Sequence, residues 1–148
     1  MARFKFRLQT LRRIREIHRD EQRGRLATAY EAERILQQQR DALAQEAAEH
    51  LESQRRAMHE GQLDVNWMLT TQRYQLGLEA EAKVLAEQAA RLAEEVERRR
   101  QTLVEADREV RVLDKLEERQ RRLHRERANQ TETKMLDEVA SVRWEATD

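Results

Sequence analysis

Four histidines, His18, His50, His59 and His124, and 29 acidic side chains are the groups in this 148-residue sequence that could move protons or hold a metal ion. A helix presents two imidazoles to one ion when they stand four residues apart, as in the HExxH pattern, where the glutamate between them serves as base. The sequence reads "HEGQL" from His59, with leucine in place of the second histidine, and no two of its histidines share that spacing. They read as exposed helical side chains, and no metal ligand is assigned. Carboxylate catalysis needs a cavity that raises a pKa and excludes water. The sequence has neither the composition to build one nor a glycine-rich phosphate loop, and without cysteine it forms no disulfide or thiolate site. No catalytic residue, cofactor or small-molecule ligand is expected, and the protein reads as no enzyme.

The elements that carry these groups are helices. The chain has no proline, 39% charged and only 4% aromatic residues, a composition of strong helix formers typical of long helix or coiled coil. From Leu78 through Leu85, Leu92, Arg99 and Ala106 to Leu113, residues at steps of three and four form one seam in which only Arg99 is not apolar. Such a seam faces a partner helix. The first half supplies the partner in two patches, Leu8, Leu11, Ile14 and Ile17, then Leu26, Ala29, Leu36, Leu43, Ala47, Leu51 and Met58, with Gly24 a weak point between them. The chain breaks once, at "HEGQLDVNW", where Gly61 suits a left-handed helix end and Asp64 or Asn66 can cap the next helix.

The expected fold is all-α: one domain over 1–148, two long helices in an antiparallel coiled-coil hairpin. Helix 1 spans about 4–59, the turn about 60–65, helix 2 about 65–140 and a tail 141–148, with helix 2 longer and overhanging. Folding about position 62 brings Leu43 near Glu81 and Leu8 near Leu116. No apolar stretch reaches the roughly twenty residues of a membrane span, and no signal-peptide core follows the basic start, so a soluble cytoplasmic protein is expected.

Net charge is zero but segregated. Residues 1–27 carry nine basic and three acidic side chains and residues 98–136 twelve and eight, whereas 28–97 carry seven and fourteen. The basic stretches "RLQTLRRIR" and "RQRRLHRER" suit nucleic acid, phosphates, anionic lipid or an acidic protein surface. In 98–127 the interspersed acids favour a solvated face with i,i+4 ion pairs. In the first 27 residues Phe4, Phe6, Leu8, Leu11, Ile14 and Ile17 accompany the arginines, the mixture a protein interface favours. Tyr74 and Leu78, one turn apart, fit either the core or a docking role, and Trp144 is expected to be exposed unless a partner covers it.

The opening "FKFRLQTLRRIRE", the length, the turn near 62, "QRYQLGLE" in helix 2 and the late "KMLDEVA" resemble the FliJ family, the small soluble component of the bacterial flagellar export apparatus. The resemblance implies a coiled coil similar to the stalk of rotary ATPases. Its end carrying both termini would enter the export ATPase ring and stimulate it, and another part would reach the membrane export gate. Export chaperones are further implied partners, and the implied location is the cytoplasmic side of the membrane at the flagellar base. Carried onto this sequence, the ATPase-binding residues are Phe4, Phe6, Leu8, Leu11, Arg13 and Ile14, with Lys134, Met135, Asp137 and Glu138. The gate-binding residues are Tyr74, Leu78, Glu81 and Leu85, where the acid at 81 and leucine at 85 depart from the family pattern. Nucleic acid is not an expected partner. The rival readings are a scaffold that dimerises through its overhang and a nucleic-acid binder using the basic end.

Overall fold

The computed structural model describes residues 3–61 and 64–145. They form two helices, α1 over Gln9–His59 with 51 residues and α2 over Val65–Glu145 with 81, and no strand among the described residues. The fold is an all-α antiparallel hairpin with the second helix the longer.

Local chemistry sets the ends. Helix α1 opens at Gln9, later than the expected position of about 4: residues 3–6 are non-helical, 7–8 form a turn, and the Leu8 carbonyl accepts the Arg12 N–H at 2.9 Å. Two phenylalanines two residues apart would sit about 200° apart around a helix, whereas a non-helical chain can turn both to one side. Phe6 is buried at 6% exposure, and that burial outweighs one more helical turn. At the other end Arg56 and His59 lie in the last turn, where cations favour the helix dipole, and Gly61 takes φ 72° in the left-handed region. Asp64 caps α2: its carboxylate accepts the Asn66 N–H at 3.3 Å and its carbonyl the Met68 N–H at 3.0 Å. Residues 62 and 63 lie outside the described residues, as does the end of the expected tail, 146–148; α2 continues through 141–145.

The chain divides into two compact units: a turn unit, Gln22–Leu103, and a terminal unit made of Met1–Glu21 and Val104–Asp148. In the turn unit the antiparallel segments of α1 and α2 share an apolar strip. Leu26, Ala29 and Val96 form a buried cluster with Leu103 packed against it, and Leu43 and Leu78 are buried further along. Burying one such leucine or valine contributes about 1.5–3 kcal/mol. Arg99, the polar member of the seam, donates from Nη1 to the Arg25 carbonyl at 2.6 Å and from Nε to Glu95 at 2.7 Å. That pairing matches folding about position 62. The helix runs through Gly24 unbroken, with Thr28 Oγ1 donating to the Gly24 carbonyl at 3.0 Å.

The terminal unit is built differently. Ala106, Val110 and Leu113 of α2 are buried, but the apolar patch of α1 is not what covers them. Leu8, Leu11, Ile14 and Ile17 are exposed, Ile14 by 56% and Ile17 by 53%. Residues spaced by three slip back about 60° around a helix at each step, so this row winds away from the partner. Steps of three and four lead back from Leu26 to Gln22, which is buried, and then to the half-buried Arg19 and Arg12. The half-buried positions of α1 are polar here, and Phe6 of the arm is buried in the same unit.

Candidate protein-docking site

In the terminal unit the guanidinium of Arg12 reaches across to α2, where it pairs with the Glu117 carboxylate and lies 3.5 Å from Asp114, and it also bonds Glu16 at 3.3 Å. Arg15 pairs with Glu109 at 2.9 Å. These bonds straddle Val110 and Leu113 and fix the register of the two segments. Being near the surface, each is modest and weakened by salt.

The N-terminal arm completes the unit. With Phe6 buried as its anchor, Phe4 sets its ring edge-on to His124, centroids 5.7 Å apart at 62°, while the Arg121 guanidinium lies 5.6 Å over the Phe4 ring. Arg121 also binds Glu117 at 2.7 Å, so the arm and the α1–α2 ion pairs share one carboxylate.

Of the residues assigned to an ATPase, Leu8, Leu11, Arg13 and Ile14 lie on the exposed surface of α1, Phe4 is half-buried and Phe6 is buried in its own chain. Lys134, Met135, Asp137 and Glu138 sit on the α2 overhang, where residues 129–144 are exposed throughout. The overhang presents Met135, Leu136, Val139 and Val142 to solvent, and Trp144 is 79% exposed.

The residues assigned to the export gate separate in the turn unit. Leu78 is buried and Leu85 half-buried in the seam; Tyr74 and Glu81 are exposed. Tyr74 is held in place: its hydroxyl donates to the Glu46 carboxylate and its ring meets His50 edge-on, centroids 4.6 Å apart at 60°. His50 in turn donates from Nε2 to the Thr71 carbonyl at 3.2 Å. The Glu46 acceptor, with smaller effects of burial and of the charges on Glu46 and Glu81, raises the Tyr74 pKa above its ordinary 10.0. Sequence reasoning missed His50 and Glu46 because their role lies in a cross-helix contact. The spacing that leads from Leu43 and Ala47 to His50 was the available signal. It missed Arg12 for the same reason.

Elsewhere the electrostatics are those of helix faces. Hydrogen bonding from Arg99 holds Glu95 below its usual carboxylate range, and Arg34 does the same for Glu31. Among the described residues no group of histidines and acids is placed to hold a metal ion, and no helix is long and apolar enough to cross a membrane.

Two long helices of unequal length paired as a hairpin, with an N-terminal arm against the second, define the class: an all-α helical hairpin. Within it the chain belongs to the FliJ family, since the family model described as flagellar FliJ protein matches residues 4–147. It is a component of the flagellar export apparatus. No curated protein and no solved structure matches the chain.

Proposed function

We propose that this chain is a non-enzymatic stalk that binds and stimulates the export ATPase ring through its terminal unit and couples it to the membrane export gate through its turn unit. It works on the cytoplasmic side of the membrane at the flagellar base, and export chaperones are additional partners. The observation that carries this reading is the uncovered apolar row Leu8, Leu11 and Ile14, set among arginines in a chain of the FliJ family. Apolar side chains left bare beside arginine are what a protein partner covers. Arg13, the arm with Phe4 and Phe6, and Lys134, Met135, Asp137 and Glu138 complete the ATPase-facing set. In the turn unit Tyr74 and Glu81 supply the gate-facing surface, with Leu78 and Leu85 supporting it from the seam. A Tyr74 ring already fixed by Glu46 and His50 loses little freedom on docking, which favours it as an anchor.

Adding the chain to its cognate ATPase should promote ring assembly and raise ATP turnover. Changing Leu8, Leu11 and Ile14 together to Ala should remove most of that stimulation while circular dichroism stays unchanged. Turnover that the wild-type chain leaves unaltered counts against the stalk reading. The bare apolar face of the overhang favours a second reading, self-association through residues 129–144, and a dimer in analytical ultracentrifugation at micromolar concentration would support it.

A further inference from the structure

We infer that the groove between the N-terminal arm and the start of the α2 overhang receives an amphipathic helix whose apolar stripe is flanked by acidic residues. The inference rests on the proposed function, because it names the chemistry of the segment that the ATPase would insert there.

The groove has a volume of about 910 Å3, and its lining includes the apolar side chains of Phe4, Ala128 and Met135. Arg3, Arg121, Arg125 and Arg127 line it against a single acid, Glu132; His124 and Thr131 add polar edges. What sets Arg3, Arg125 and Arg127 apart from other exposed arginines is that they stand together around apolar side chains with one acid among the lining residues. Arg12 and Arg15 are taken up by carboxylates across the helix pair, and Arg121 is held between Glu117 and the Phe4 ring. Arg3, Arg125 and Arg127 make no ion pair with any described residue. Arginine offers carboxylates a planar fork of donors, so three arginines without an ion pair among the described residues, set beside apolar lining, call for a ligand with both carboxylates and an apolar face. A helix with aliphatic residues along one stripe and glutamate or aspartate beside it meets both demands. Nucleic acid supplies anionic phosphates but no apolar face: its backbone would leave Ala128 and Met135 against polar atoms, and Arg121 already covers one face of the Phe4 ring on which a base would stack.

The test uses the full chain and a fluorescently labelled synthetic helix with a leucine stripe flanked by glutamates, followed by anisotropy. Binding is expected, weakening as salt rises. Replacing Arg125 and Arg127 with Gln should weaken it about tenfold, whereas Arg55→Gln with Arg91→Gln, the same charge change in the turn unit, should leave it unchanged. A peptide of identical composition with the leucines scattered should bind at least about tenfold more weakly, through the loss of the apolar stripe. Equal binding by the stripe and scattered peptides overturns the inference, as does equal binding by both double variants. So does tighter binding of duplex DNA or of vesicles rich in phosphatidylserine at the same salt. ATPase stimulation separates the two levels. If wild type stimulates and the Arg125/Arg127 variant stimulates equally, the groove assignment fails and the stalk stands; if wild type does not stimulate, the stalk fails whatever the peptides do.

Discussion

The turn unit and the terminal unit use the same two helices and the same spacing, yet hold them together by different physics. Between Leu26, Ala29 and Val96 the inward residues are apolar and buried. In the terminal unit the half-buried Arg12 and Arg19 of α1 have heads that bind carboxylates, Arg12 reaching Glu117 of α2, and Phe6 is buried in the same unit. Apolar burial is indifferent to salt and slow to give way, whereas exposed ion pairs are weak and screened. The difference teaches where a partner can intervene. A segment whose helices are clasped by ion pairs and a strap leaves its own aliphatic row bare, which is the basis of the docking role proposed for it.

The sharpest way to break the comparison is Leu26→Ala. It should cost about 2–3 kcal/mol of unfolding free energy in urea titrations followed by circular dichroism, as a cavity in the turn-unit core. A loss below 1 kcal/mol would mean that this core is no firmer than the arginine clasp. Next comes Phe6→Ala, expected to remove about 2 kcal/mol of local stability. Hydrogen exchange should quicken in the terminal unit around Val110 and Leu113 and stay unaltered around Leu26 and Ala29; equal acceleration in both would show that the strap supports more than its own unit. Smaller again is the response to salt. Raising it to about 1 M should quicken exchange in the terminal unit and spare the turn unit, and Arg12→Ala should lose less than about 1 kcal/mol once the salt is high.

The smallest effect is on pH. Glu95 and Glu31 in the turn unit have folded pKa values below their ordinary 4.5, because Arg99 and Arg34 hydrogen-bond the ionised forms. A depressed carboxylate contributes stability that is present above its unfolded pKa and lost as pH falls through the folded one. Helicity at 222 nm should therefore begin to fall only below about pH 4.5. Glu95→Gln should flatten part of that fall, and an acid limb identical to wild type would remove Glu95 from the account.

Much of the fold could be read from the residues themselves. The seam from Leu78 to Leu113, the glycine that ends α1 and the aspartate that caps α2 each act over one or two turns, within reach of local rules. The candidate docking surface was half legible. Leu8, Leu11 and Ile14 announce an apolar row, and their spacing by three, taken literally, already says that the row winds off the seam. The arginines that replace it inside carry no such mark, since an arginine at an inward position and one on a solvated face look alike until a carboxylate stands opposite. The same holds for Tyr74, whose role turns on Glu46 and His50 from the other helix.

By itself the sequence determined that the chain is helical, where it turns, and which register the apolar and charged rows permit, because helix propensity, capping and periodicity are properties of neighbouring residues. Only the tertiary structure decided that Phe6 stays outside α1 and is buried, that Arg12 and Gln22 face inward while Ile14 faces out, and that Arg125 and Arg127 make no ion pair with any described residue. Those outcomes depend on which groups meet across a distance of some hundred residues along the chain, and a competition between burial and ion pairing is settled only where both partners are in place.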